Sequence, residues 1–413
     1  MMQLPDLIPV QQTFPKRPDA DFVSIIPASL ASFRSQIQEG SRIAIGVGSR
    51  GITGYREHIW TVIKTLRSWR AEPFLFPAMG SHGGGTDAGQ REVLASYGIT
   101  EETMGCEIRC SMEVEEIGGT SQGIAVVCSS EALRADGILL VNRIKPHTDF
   151  FGSLGSGLVK MSVVGLGKQV GATRFHLAAM RLGYEPALLS IADHMRRHTR
   201  LLGGIGLLEG EWHQTVEIHS VQADEMVDRE RELLAKAKVM MPTLPFDTID
   251  LLIIDRIGKD ISGAGLDPNV TQRSIHGYSS LPLPPDERRP FVKRIYVRDL
   301  TDATHGNAIG IGMADVVNSR LLSKLDREKT VRNALTALTP QSAKIPIAMD
   351  TDREAIEAML ASLPIEDVRT AKVVRIANTL ELGEMAISEN LFAEALHAGK
   401  VEPSSTTWPA LDV

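Results

Sequence analysis

The chain holds three cysteines in 413 residues, and no two of them stand as Cys-x-x-Cys. That excludes a disulfide framework and paired-thiolate motifs, and predicts a reducing compartment. No stretch approaches the roughly 18 uninterrupted apolar residues of a transmembrane helix. The segment Met1–Thr13 lacks the basic start and apolar run of a secretory signal, so a soluble, cytoplasmic protein with no membrane contact is expected. Positive charge is in deficit: 44 Lys and Arg face 51 Asp and Glu, a net charge of -7. That argues against a nucleic-acid binder that works by neutralising phosphates in bulk. No internal repeat with a period of about 20–50 residues is visible. What is present is an ordinary globular balance, 43% hydrophobic and 23% charged, which excludes global disorder. The length suits two or three domains of about 150 residues each. With thiols scarce, the 11 histidines become the main candidates for metal ligands and proton carriers.

The first half alternates short β-branched runs with helical periodicity, the pattern of a largely parallel sheet covered by helices. Ile43 to Val47 reads as a buried strand, followed by a Gly-rich turn over 48–54 and a helix with Ile59, Val62, Ile63 and Leu66 on one face. Phe74 to Phe76 leads into Gly80-Ser-His-Gly-Gly-Gly85, after which Thr86 or Asp87 caps a helix carrying Val93 and Leu94. Ile138 to Val141 is a third strand, entering Arg143-Ile-Lys-Pro-His-Thr-Asp149. Open parallel sheets bind ligands at the carboxyl ends of their strands. If these three strands are neighbours, Arg50, His82 and His147 meet at one sheet edge.

The segment Met241–Phe246 reads as a linker, preceded by a charged helix over 225–238. Beyond it the pattern is again α/β. Strands are expected over 250–254, 292–297, 345–349 and 371–376, and helices over 316–325, 328–338, 353–363 and 389–397, with a Pro-rich excursion over 281–290. The expected domains are 1–243, carrying cofactor-binding and catalytic residues, and 244–385, carrying a substrate loop. Residues 386–413 are expected to form a C-terminal helix and tail that packs back on the first of the two.

Several constellations carry chemistry. In Gly80–Thr86, closely spaced glycines let backbone N–H groups approach an anion ahead of a helix N-terminus. Gly83 and Gly84 are therefore candidate cofactor contacts; the alternative is a plain strand–helix turn with a surface histidine. The stretch 145–168 concentrates Lys145, His147, Ser156, Lys160 and Lys168 among five glycines, with Pro146 stiffening the loop before His147, and Lys145, Ser156 and Lys168 are candidate cofactor contacts. A lysine held neutral there is a nucleophile for a carboxyl-derived cofactor; the alternative is a phosphate-binding loop without covalent chemistry. His176, on a helical stretch, is either a metal ligand or a satisfied core residue. His194 and His198 have the i, i+4 spacing of metal ligands, but beside Arg196, Arg197 and Arg200 they read better as a solvated basic face. Cys106 and Cys110 lack further soft ligands. His305, in Ala303-Thr-His-Gly-Asn307, is either a site residue or part of a Gly-rich turn.

In this order, Arg50, His82, His147, Lys160 and His176 resemble the lactate racemase family, whose members use a nickel-pincer nucleotide. The resemblance covers most of the first 180 residues and, more weakly, the second domain. It rests on ordered spacing: 65 positions from His82 to His147 and 16 from Lys160 to His176. It implies two α/β domains with largely parallel sheets and an active-site cleft between them. It further implies that Lys160 is joined to the pincer cofactor through a thioamide and that His176 completes the coordination of nickel. His82 and His147 would be the acid/base pair, and Arg50 would hold the substrate carboxylate. The implied activity is racemisation or epimerisation of a small 2-hydroxy acid by hydride transfer from Cα and return to the opposite face. Cofactor-biosynthesis proteins are implied as partners. Nickel's preference for soft and imidazole donors, and an imidazole pKa near 6.5, suit those roles.

The second-domain loop Gly258–Gln272 resembles the family's substrate loop and offers Gln272. The lysine expected three positions later is replaced by Ile275, so Lys259 or Arg273 would supply the charge. The segment between His147 and Lys160 is also longer than in the lactate enzymes. Both departures point to a 2-hydroxy acid other than lactate, larger or sugar-derived. Two other readings stay open: a nucleotide- or anion-binding α/β protein without redox chemistry, and a nickel-pincer enzyme with a non-racemising outcome.

Overall fold

The computed structural model describes residues 3–48, 51–148, 150, 152–273 and 290–412. Near-continuous apolar runs bury a strand on both faces and suit a parallel sheet; Ile43 to Val47 is such a run, buried throughout. In chain order the strands are β1 (Leu7–Gln12), β2 (Arg42–Val47), β3 (Glu72–Pro77), β4 (Val114–Gly119), β5 (Ala125–Ser129), β6 (Gly137–Arg143), β7 (Leu201–Glu209), β8 (Thr215–Gln222), β9 (Thr248–Ile257), β10 (Phe291–Leu300), β11 (Val316–Asn318), β12 (Ile347–Met349), β13 (Val373–Ile376), β14 (Glu384–Ser388) and β15 (Val401–Pro403). The fold class is α/β with largely parallel sheets.

The chain divides into two units: Arg17–Met241, and the residues before it together with those from Pro242 onward. In the first unit the sheet order is β3-β2-β6-β7-β8, and β4 and β5 form a separate hairpin. Strands β3, β2, β6 and β7 run parallel, and β8 returns antiparallel to β7. The chain steps from β2 outward to β3, then crosses to place β6 on the other side of β2. Such a reversal opens a crevice at the carboxyl edge of a parallel sheet. One face is covered by the helix Tyr55–Ser68, whose predicted stripe of Ile59, Val62, Ile63 and Leu66 is fully buried against Ile43, Ile45 and Val47. On the other face, Leu158, Phe175, Leu188 and Leu233 pack over Ala44 and Leu140.

Glycine in β7 sets how close that second layer comes. A Cβ on Gly204 would lie 2.6 Å from the Leu140 carbonyl oxygen and 2.8 Å from Leu158 Cδ2. Leu158, two residues before Lys160, thus rests directly on the strand. Gly204→Ala is expected to destabilise the chain by about 1–3 kcal/mol through overpacking. Thermal unfolding checks this, and an unchanged midpoint would mean the layers absorb the methyl.

The second sheet has the order β12-β11-β10-β9-β13-β14-β1-β15. Strands β12 to β13 are parallel, and the remaining pairings are antiparallel. Three features depart from the sequence expectation. Val316 and Val317 form a strand paired with Tyr296 and Val297 instead of opening a helix, and the helix begins at Ser319. β1 hydrogen-bonds between β14 and β15, so the first strand of the chain belongs to the second unit. The C-terminal helix Glu389–His397 and the tail belong to that unit too. Among the described residues no helix is long and apolar enough to cross a membrane.

Candidate active site

Strands β3, β2 and β6 are adjacent and parallel, so the loops that follow them leave the same edge of the sheet. The loop after β2 carries Arg50, which lies outside the described residues. The loop after β3 carries His82. Its Nδ1 lies 2.8 Å from the Met79 carbonyl oxygen, so Nδ1 carries the proton and Nε2 is the acceptor nitrogen. Gly83 to Gly85 form a single 3-10 turn, with Gly83 at φ 64° and Gly84 at φ 69°. These left-handed conformations favour glycine and explain the run without any ligand. Thr86 Oγ1 then accepts the Gly89 N–H at 3.1 Å and caps the helix Asp87–Ser96.

The loop after β6 carries His147. Its ends are pinned by a two-bond bridge between Lys145 and Ser156, with N–H···O distances of 3.0 and 2.8 Å. His147 is buried, its ring centroid 5.1 Å from Phe150 and 5.4 Å from Tyr184, and these two rings stack at 4.1 Å. His147 Nε2 is hydrogen-bonded to Lys160 Nζ. Lys160 closes the turn Leu158–Lys160 and is followed at once by a π-helical segment, Met161–Gly165. Such segments are rare and recur at functional sites. That segment presses on the His82 loop: a Cβ on Gly165 would stand 2.7 Å from the Ala78 carbonyl oxygen. The sequence-predicted His82, His147 and Lys160 are thus carried on segments in direct contact.

His176 lies on the next helix, Lys168–Leu182. Burial pushes its imidazole down to about 4, and the positive charge of Lys160 adds to the effect. His176 is therefore neutral at physiological pH, with a lone pair available to a metal. Among the described residues no three His, Cys, Asp or Glu side chains converge as a metal site.

Lys168 is not where an anion contact would need it. It is fully buried, and its ammonium donates to the Pro77 carbonyl oxygen at 2.6 Å and to Gln90 Oε1 at 3.2 Å. Gln90 Nε2 in turn donates to the Gly80 carbonyl oxygen at 3.0 Å. Burial pushes the Lys168 ammonium down to about 8. The lysine expected to touch the cofactor instead ties the His82 loop to the helix of His176.

Among the second-unit residues, Arg273 is likewise engaged internally. It donates to Asp315 Oδ2 at 2.6 Å and to the carbonyl oxygens of Met313, Val292 and Lys293. Lys259 Nζ donates to Asn333 Oδ1 at 2.8 Å, and Gln272 donates to the Asn269 carbonyl oxygen. His305 is exposed, in left-handed backbone at φ 49°. Ile275 lies outside the described residues. His194 and His198 stack at 4.0 Å and line a cavity of about 670 Å³, with one nitrogen of each bonded to the carbonyl oxygens of Ile117 and His194 respectively.

Sequence reasoning missed Glu230. Its carboxylate is fully buried and accepts the Val159 N–H at 2.8 Å, anchoring the turn that ends in Lys160. Burial pushes it up to about 7, against the pull of the Val159 and Leu158 N–H groups. A signal existed: Glu230 falls on the buried stripe Met226, Leu233, Leu234 and Ala237 of its helix, and an acid on an apolar face is rarely unpaired. Gln90, fully buried beside Leu94 on a short helix, carries the same kind of signal.

No protein-family model and no curated protein sequence matches the chain. Among solved structures, the fold is similar to the lactate racemase apoprotein from Thermoanaerobacterium thermosaccharolyticum, at a TM-score of 0.57 and 14% identity over 91% of this chain and 98% of that one. A protein from Thermotoga maritima is similar over 69% of this chain and 72% of its own, at a TM-score of 0.48 and 13% identity, too low to support an argument. The first likeness gives the chain a lactate racemase-like fold; at that identity it speaks to architecture alone.

Proposed function

We infer that this chain is a nickel-pincer nucleotide-dependent racemase or epimerase of a 2-hydroxy acid other than lactate. The observation that carries the reading is the contact of Lys160 Nζ with His147 Nε2, beside a His176 that Lys160 helps hold neutral. A pincer nucleotide requires one amine for its covalent bond and one neutral imidazole to complete nickel's coordination. The residues fit: Lys160 supplies the first and His176 the second. Bound there, the group supplies a hydride acceptor for C2 of the substrate.

The chain's own residues handle the protons. His82, with Nδ1–H committed to the Met79 carbonyl oxygen, presents Nε2 as the base for the substrate hydroxyl. His147 serves the opposite enantiomer. Racemisation needs both, because the hydroxyl is deprotonated in one hand and reprotonated in the other. The aromatic wall of Phe150 and Tyr184 limits water beside His147. Cofactor-making enzymes are the expected protein partners.

Co-production with those enzymes tests the reading. Intact mass is expected to show an adduct on the wild-type chain that is absent from Lys160→Ala, with about one nickel per chain retained in the wild type and lost in His176→Ala. An unmodified wild-type chain under those conditions would sink it.

A further inference from the structure

We propose that His147 has a task before any substrate arrives: it is the general base for acylation of Lys160, so that the two form a nucleophilic amine dyad. The inference rests on reading Lys160 as the attachment site and assigns its chemistry to a named partner. A lysine at neutral pH is overwhelmingly an ammonium and has no lone pair to attack with. Its reaction needs a base at the nitrogen itself. His147 Nε2 is hydrogen-bonded to that nitrogen.

The surroundings hold the pair in place. His147 is only 6% exposed and is flanked by Phe150 and Tyr184, while the Lys145–Ser156 bridge closes its loop. Lys160 sits on a turn whose Val159 N–H is fixed to the buried Glu230 carboxylate, directly before the π-helical segment. Neither partner needs to move for proton transfer.

The step balances without an external oxidant or reductant. The Nζ ammonium first passes one proton through His147 Nε2 to the thiocarboxylate oxygen, which frees the Nζ lone pair. The lone pair attacks the thiocarboxyl carbon and forms the C–N bond, and the surplus proton on nitrogen passes to His147 Nε2. The C–O bond then breaks, and oxygen leaves as water carrying both protons that His147 has delivered. A thioamide nitrogen is no longer basic, so acylation ends its claim on the imidazole and releases His147 for acid/base work on substrate. Loading and catalytic competence are thus linked through one nitrogen.

The test uses the unloaded full-length chain and S-phenyl thioacetate, whose C–S bond breaks in place of C–O. Acetylation of each lysine is followed by peptide mass spectrometry. Lys160 is expected to react at least about tenfold faster than Lys236, which lies on the surface with its side chain 54% exposed. In His147→Phe the Lys160 rate is expected to drop about 100-fold while Lys236 stays unchanged. Added imidazole is expected to restore Lys160 labelling in His147→Ala, which a purely structural role for His147 would not allow. Equal Lys160 rates in wild type and His147→Phe, a Lys160 slower than Lys236, or no rescue by imidazole overturns the dyad. A reactive Lys160 that stays free of adduct in cofactor-making cells instead leaves the dyad standing and removes the nickel-pincer reading.

Discussion

Glu230→Gln is expected to change how stability depends on pH, with the gap to the wild type widening as pH rises from about 4.5 to about 7. In the folded chain burial lifts the Glu230 carboxyl from 4.5 to about 7. Below its unfolded value both states hold the proton, and the acid and the amide are close equivalents. Between the two values the unfolded chain sheds the proton and the folded chain keeps it, so wild-type stability falls with rising pH. At about 1.4 kcal/mol per pKa unit, the full loss is about 3 kcal/mol. The glutamine variant has no such loss. The half-buried His176 and the buried His58 act in the opposite sense: desolvation pushes both down from 6.5 to about 4, so each adds stability as pH rises from about 4 to 6.5. In the wild type these slopes partly cancel, and the variant exposes the histidine slope. For a unit of this size, about 3 kcal/mol corresponds to about 6–12 °C in melting temperature. Thermal unfolding by circular dichroism across that range measures it, and a gap that stays constant with pH would mean Glu230 is ionised throughout.

The contrast between Glu230 and Lys168 shows which information is local. The three strands that bring the loops of Arg50, His82 and His147 to one edge announce themselves by short apolar runs, the first two of which lead into glycine-rich turns. Their adjacency follows from the ordinary rules of parallel sheets, and the register confirms it. The Lys160–His147 contact is of another kind. It depends on a loop closed by backbone bonds between Lys145 and Ser156, and no periodicity encodes that closure. Lys168 read as a cofactor contact because it closes a stretch dense in glycine and lysine. It enters its helix from left-handed backbone at φ 54° and reaches Pro77 and Gln90 inside the core, which only the tertiary fold decides. Strand β1 makes the same point at longer range. Its partners β14 and β15 lie more than 370 residues away, beyond any local signal, so neither these strands nor their pairing is legible in the sequence.

Racemisation by the loaded enzyme is expected to fall by about 100- to 10,000-fold in His82→Gln, the range typical for removing a general acid/base group. Glutamine can keep an amide donor toward the Met79 carbonyl oxygen, which His82 Nδ1 now bonds at 2.8 Å, yet it has no nitrogen that takes up a proton. The lesion is therefore chemical, and it should appear in kcat with KM little changed. The Lys160 adduct should survive in this variant, because His82 takes no part in acylation. His147→Gln should lose both the adduct and the turnover, since it removes the base from Lys160 as well as from substrate. That difference separates the two histidines, which a symmetrical acid/base pair alone would leave equivalent. The measurement is chiral chromatography of both enantiomers from a panel of 2-hydroxy acids, paired with intact mass of the same preparations. Racemisation within about tenfold of wild type in His82→Gln would move the proton transfer elsewhere. Lys168→Met supplies the control for position: it removes the ammonium that ties Pro77 and Gln90 to the His176 helix while leaving the imidazole intact. A turnover defect there that matches His82→Gln would mean the buried lysine acts through the placement of the loop, so that the nitrogen chemistry of His82 counts only when the loop is held.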